Sequence, residues 1–313
     1  MQDTKELRAT YLELLMEAAD KDDRIVVLDA DLLRANGMLP FRDKYPERTI
    51  DCGIAEANMI GVAAGLSTMG KIPFAGSFCT FASRRCFDQI FVSGAYAGLN
   101  LKILGSDPGI SAELNGGTHM SFEDYGILRT IPEITIVEPV DSAQLRSLFP
   151  QILGGNGCVY IRLFRKKAVK VFSEDVSFIL GKAHRIRNGN DATIFATGIM
   201  TARALEAAQL LEQENICVRV ENIHTIKPLD EDAISAAAQE TGAIVTAENH
   251  NVVGGLAEAV AGVLARRSPA PLEAVGIQDR FGQVGKMEDL AQAYHLRPED
   301  IAEAVKRAMA RKP

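Results

Sequence analysis

The chain has 313 residues, 47% hydrophobic and 24% charged, with 34 Lys and Arg against 41 Asp and Glu for a formal net charge of −7. That balance supports one large core or two ordinary ones, excludes extended disorder, and provides no basic face for a nucleic acid. Five scattered cysteines (Cys52, Cys79, Cys86, Cys158, Cys217) without a C-x-x-C, a charged amino terminus and no apolar run of membrane-span length give the expectation of a soluble cytoplasmic protein without a disulfide framework.

In chain order, a helix near 4–20 precedes a buried strand, RIVVLD, at 24–29. Further strands are expected at 71–78, 101–106, 133–139 and 158–163, with helices near 56–69, 81–96, 120–129 and 141–153. Continuous apolar strands separated by helices imply a parallel sheet covered on both faces, which binds ligands beyond the carboxyl ends of its strands. Periodicity weakens after residue 165. A linker with short extended pieces is expected at 171–190, between a first domain of 1–170 and a smaller α/β domain of 191–313. That second domain carries strands at 192–198, 216–223, 243–249 and 271–277 and helices near 200–213, 230–238, 254–266 and 298–310.

The common phosphate-binding handles are missing: neither G-x-x-x-x-G-K-[ST] nor G-x-G-x-x-G occurs. No His/Cys/Asp group has metal-ligand spacing, so no metal is expected on this chain's own side chains. Glu56, in DCGIAEANMIG, has two readings. It is an acid in the first turn of a helix, favourable against the macrodipole, or a carboxyl group facing a ligand at a strand–turn–helix junction. Phe78 and Phe81, three apart in GSFCTFASRR, are either aromatic core residues at a helix start or a shelf on which a flat heterocycle stacks.

GIAEANMIGVAAGLSTMGKIPFAGSFCTFASRRCFDQI, GGTH followed by FEDYGILRTIPEITIVEPVD, YIRLFR and TIKPLD occur in one order along most of the chain. This ordered set resembles the transketolase family of thiamine diphosphate enzymes, over the pyrimidine-binding domain and the domain after it. The family's diphosphate-binding portion, with its G-D-G and following Asn that hold Mg²⁺, is not found. The resemblance therefore implies the small subunit of a split transketolase, partnered by an N-terminal subunit that carries the diphosphate and Mg²⁺, in an α2β2 assembly.

The same resemblance assigns residues. Glu56 matches the glutamate that contacts the cofactor's aminopyrimidine N1′ and shares a proton there. Phe78 and Phe81 match the aromatics around that ring, and Asp31 an aspartate at the cofactor site; for Asp29 and Asp31 the plain alternative is the end of a strand and a turn. His119 matches a histidine that contacts the donor ketose. Arg165 and Arg8 match arginines that clamp the sugar's terminal phosphate, a role suited to guanidinium forks. Arg162 and His250 are read as structural or packing residues.

Two departures bear on the substrate. Leu114 and Asn115 stand where many members have Glu-Asp before the GGTH segment, and Ala35 stands where a phosphate-contacting Ser is common. Asn115 keeps a hydrogen-bonding group but carries no charge. Both departures point away from ordinary pentose phosphates, toward an unusual ketose or one ending in another anion. The alternatives are a subunit like 1-deoxyxylulose-5-phosphate synthase or the β subunit of a 2-oxo acid dehydrogenase, and a non-catalytic regulatory partner. The GGTH segment favours transketolase over the first two. Retention of Glu56, Phe78, Phe81 and His119 argues against the third.

Overall fold

The computed structural model describes residues 2–312. In chain order its elements are α1 (Leu7–Ala19), β1 (Ile25–Asp29), α2 (Leu39–Lys44), β2 (Thr49–Asp51), α3 (Glu56–Thr68), β3 (Ile72–Phe78), α4 (Cys79–Arg84), β4 (Lys102–Ser106), α5 (Asp124–Leu128), β5 (Thr135–Val137), α6 (Ser142–Gly154) and β6 (Val159–Leu163). They continue with β7 (His184–Arg187), β8 (Ala192–Ala196), α7 (Met200–Gln213), β9 (Val218–Asn222), β10 (Thr225–Lys227), α8 (Glu231–Thr241), β11 (Ile244–Asn251), α9 (Leu256–Arg267), β12 (Leu272–Ile277), α10 (Met287–Ala293) and α11 (Pro298–Ala310). Gln89–Tyr96 winds as a π-helix, and Gly109–Asn115 as 3₁₀ turns kinked at Glu113.

The chain divides into two compact α/β units. The first runs to Pro108 and resumes at Ile127–Ser177; the second takes Gly109–Gly126 and everything from Phe178.

The first unit holds parallel strands in the order β5-β6-β4-β3-β1-β2. β1, β3, β4 and β6 are buried at every residue, as a sheet covered on both faces requires. Asp29 pairs with Gly76, Phe78 with Ser106 and Ser106 with Leu163, so the strands' carboxyl ends lie along one edge. Two cations are buried in this sheet. Lys102 donates to the Gly155 carbonyl at 2.7 Å, and burial lowers its pKa to about 8. Arg162 is fully buried with Glu138, Nη1 to Oε1 2.6 Å, which makes it a structural residue rather than a second anion ligand beside Arg165. At the start of α6, the buried Asp141 accepts from the backbone N–H groups of Gln144, Val171 and Phe172, capping the helix and tying down the chain that follows β6.

The second unit has a sheet ordered β12-β11-β8-β9-β7, parallel except for β7 against β9. Ile194, Val220, Val245 and Val275 line its core together with Ile110, Met120 and Phe122 from the 109–126 segment. Glu248 sits at the start of α9 and accepts from the Leu256 and Ala257 N–H groups at 2.7 and 2.8 Å and from the Tyr125 hydroxyl at 2.5 Å. A carboxylate there satisfies orphan donors and opposes the helix dipole. His250 stacks on Tyr125 with ring centroids 3.8 Å apart and Nδ1 2.7 Å from the Asn251 carbonyl, a packing and hydrogen-bonding role.

Three expected elements differ. The single helix near 81–96 is α4 followed, after a turn at 85–86, by helix that passes into the π-helix at Gln89. Gly94 lies so close to Leu101 and Cys158 that a Cβ would meet them at 2.8 and 2.9 Å, which lets this stretch press onto the sheet. The helix near 120–129 shrinks to α5, because the Ser121 carbonyl accepts from Gly109 N–H and the Phe122 carbonyl from Asn251 N–H. Those carbonyls serve long-range pairing instead of a helix. The strand at 133–139 is only β5, flanked by Pro132 and Pro139, which cannot donate to a ladder.

Candidate active site

In the first unit, the predicted side chains follow the carboxyl ends of successive strands, where parallel sheets bind ligands. At the end of β1, Asp29 is 1% exposed and accepts from Leu32 N–H and, at 2.9 Å, from Asn36 Nδ2; Asn36 Oδ1 in turn accepts from the Ser106 hydroxyl at 2.8 Å. Burial pushes the Asp29 carboxyl up to about 7, against the pull of its donors. Asp31 is exposed, with a left-handed φ of 62° that Asp tolerates, and its N–H donates to Asp51 Oδ1 at 3.0 Å.

Glu56 is the first residue of α3, as expected, and its side chain is 4% exposed. The first-turn acid is here also a buried one. A surface helix start would leave the carboxyl in water. This one is withdrawn from it and accepts from Arg85 Nη1 at 2.8 Å. The Arg85 guanidinium lies over the Phe81 ring, 3.9 Å from its centroid, and Phe81 stands 6.1 Å from Phe78 at 41°. Burial, and then the nearby Glu56 charge, raises the Cys86 thiol to about 12, which keeps it protonated and inert.

Phe78 ends β3, and the Arg165 guanidinium lies 5.2 Å from its ring centroid. Arg165 Nε donates to Asp107 Oδ1 at 2.8 Å, and its Nη2 stands 2.7 Å from Oδ2. Arg165 Nη1 also donates to the Ala35 carbonyl at 3.2 Å, and Arg8 Nη1 donates to the same oxygen at 2.6 Å. The structure thus brings together Glu56, Phe81, Phe78, Arg165 and Arg8 as one continuous row. Asp107, just beyond β4, and Arg85 are members of that row that sequence patterns did not single out as site residues. The signal available was an isolated acid directly after the buried run LKILGS.

Asn115 and His119 belong to the second unit. Asn115 is exposed; His119 is half-buried, with Nδ1 2.9 Å from the Thr118 hydroxyl and its N–H donating to the Gly116 carbonyl at 3.0 Å. Gly117 between them has a structural reason: a Cβ there would meet the Gly282 carbonyl oxygen at 2.3 Å. Gly109, at φ 53°, would meet Asn249 Oδ1 at 2.2 Å, so the segment's entry is pinned to β11.

Residues 3–170 match the family model described as transketolase, pyrimidine binding domain, and residues 181–301 the one described as transketolase, C-terminal domain. The chain belongs to the transketolase family. It is 56% identical over 306 residues to the 6-deoxy-6-sulfo-D-fructose transketolase subunit SqwH of Clostridium sp. (strain MSTE9), covering 98% of this chain and 95% of that protein. It is 38% identical to a putative transketolase C-terminal section of Methanocaldococcus jannaschii, over 97% of this chain and 96% of that one. A solved structure described as a split gene transketolase, inactive beta4 tetramer, superposes with a TM-score of 0.92 at 42% identity, over 99% of this chain and all of that one.

The transketolase family works with thiamine diphosphate. The residues present fit its aminopyrimidine end. A buried carboxyl stands at a helix start beside a tilted aromatic pair, at the carboxyl edge of a parallel sheet. Among the described residues no group of three His, Cys, Asp or Glu is arranged to hold a metal ion, and no helix is long and apolar enough to cross a membrane.

Proposed function

We propose that this chain is the pyrimidine-binding and C-terminal subunit of a split transketolase. It moves a two-carbon ketol unit from a ketose with an anionic tail, of the 6-deoxy-6-sulfofructose kind, to an aldose. The row from Glu56 to Arg8 is the observation that carries this reading: a proton-sharing carboxyl, an aromatic shelf and an anion site follow one another along one sheet edge. Near-complete coverage of a sulfosugar transketolase subunit supports the donor class.

When bound, thiamine diphosphate supplies the electron sink that permits cleavage beside the donor carbonyl. This chain's own residues do the rest of its share. Glu56 holds a proton at the aminopyrimidine N1′, in a place where burial strengthens the bond. Phe78 and Phe81 give the ring an apolar bed and exclude water. Asp31, just after β1, contributes to the cofactor site. Arg165 and Arg8 bind the sugar's terminal anion, and His119 and Asn115 hydrogen-bond its hydroxyls. The diphosphate and Mg²⁺ belong to a partner subunit, with two copies of each chain in the complex.

The test is reconstitution. The purified chain is mixed with a diphosphate-binding transketolase subunit, thiamine diphosphate and Mg²⁺, and ketol transfer is followed from 6-deoxy-6-sulfofructose. Turnover is expected only in the mixture. Full turnover by the chain alone, or none in the mixture, overturns the reading; decarboxylation of 2-oxo acids instead would move it to the dehydrogenase class.

A further inference from the structure

The anion site carries a charge feature that none of its arginines explains. Arg8 and Arg165 converge on one carbonyl oxygen, that of Ala35, which leaves no hydroxyl side chain at that position. Against them stand two carboxylates. Glu6 Oε2 accepts from Arg8 Nε at 2.7 Å, and Asp107, 1% exposed, is clamped on Arg165 through both oxygens. Asp107 also feels Lys166 and Arg8. Three cations and two anions therefore share the site, for a net charge of +1. The Asp107 backbone sits at a left-handed φ of 56°, a conformation that costs energy in a non-glycine residue and is held by its surroundings.

We infer that Asp107 is a specificity-determining residue for the donor's tail: its carboxylate, held on Arg165, lowers the site to a single positive charge and so selects a singly charged sulfonate over a phosphate monoester. This rests on the tail-binding role proposed above for Arg8 and Arg165. A sulfonate carries one charge at all working pH values. A phosphate monoester carries about −1.5 to −2 near pH 7 and meets a buried like charge in Asp107. Both groups present three oxygens to a guanidinium fork, so shape does not separate them. Charge does. A neighbour that also holds Arg165 in its bidentate pose pre-orients the fork at no further cost to binding.

Two measurements test this. The first uses the full chain alone and titrates methanesulfonate and methyl phosphate, read by ligand-observed NMR. Wild type should prefer methanesulfonate, and Asp107→Asn should shift the preference toward methyl phosphate by roughly tenfold. Asp107→Glu, which keeps the charge, should stay nearer to wild type. An unchanged preference in Asp107→Asn, or equal loss of both anions, overturns the inference and leaves Asp107 as a structural prop for Arg165.

The second measurement uses the reconstituted enzyme, with 6-deoxy-6-sulfofructose, fructose 6-phosphate and tailless fructose as donors. Asp107→Asn should raise the phosphate-to-sulfonate ratio of kcat/KM by about the same factor, through KM, with tailless fructose as the reference donor. An unchanged phosphate-to-sulfonate ratio counts against the inference. If Asp107→Asn does not fold, the wild-type chain answers through pH. Glu6, Arg8, Asp107, Arg165 and Lys166 act on both anions, so the preference for methanesulfonate should narrow as the methyl phosphate dianion takes up one proton near pH 6 and becomes singly charged. A preference that stays constant from pH 8 to 5.5 overturns it. Failure of ketol transfer in the mixture would remove the proposed function while the titration still decides the role of Asp107.

Discussion

Arg85, half exposed, extends its guanidinium inward so that Nη1 lies 2.8 Å from Oε1 of Glu56, whose side chain is 4% exposed. The buried carboxyl is thus reached from solvent by one cation, which is itself laid on the Phe81 ring. The counter-charge of this buried carboxyl thus sits on a side chain that is itself 47% exposed.

Removing Arg85 should therefore cost little stability. An ion pair with one exposed partner is screened, so Arg85→Ala is expected to destabilise by about 1 kcal/mol. A double-mutant cycle with Glu56→Gln, followed by urea unfolding, should return a coupling of roughly 0.5–1 kcal/mol. A coupling of zero would separate the two side chains energetically.

Glu56→Gln keeps a hydrogen-bonding group but cannot share a proton. Exchange of the cofactor's C2 proton in the reconstituted enzyme should slow by roughly 10²–10⁴-fold, while cofactor affinity changes far less. Exchange within a few-fold of wild type removes Glu56 from proton sharing.

The buried pair of Arg162 and Glu138 behaves differently from the half-exposed one. Glu138→Ala strands a guanidinium in the sheet and should destabilise by about 3–5 kcal/mol. Replacing both residues by apolar side chains of similar volume should recover most of that loss. Denaturant midpoints of the single and double variants decide it.

Asp29 sets a pH dependence. Its carboxyl is raised by burial from 3.8 to about 7, so between those values the folded chain binds more protons than the unfolded one. Stability should fall as pH rises through that window and level off above about 7, by at most roughly 4 kcal/mol. Melting temperatures of wild type and Asp29→Asn should show the falling component in wild type only; parallel curves would contradict it.

Much of this was legible in the sequence because the strands of the first sheet are buried on both faces and read as unbroken apolar runs, and Glu56 sits where the helical pattern starts. Three-residue strands such as β2 and β10 have no period to read. α10 spans only two turns after a glycine-rich stretch. Asp107 was illegible for another reason: its meaning lies in Arg165, 58 residues later in the chain, and only the fold brings the two together.

The 109–126 segment has a consequence for recombining such proteins. Met120 and Phe122 complete the second unit's core, and Gly109 and Ile110 dock on Asn249. A chimera that exchanged only residues after 177 would pair one relative's plug with another's socket. A graft intended to carry the C-terminal half into a related scaffold should therefore transplant this loop with it, Asn115 and His119 included, so that plug and socket come from the same parent.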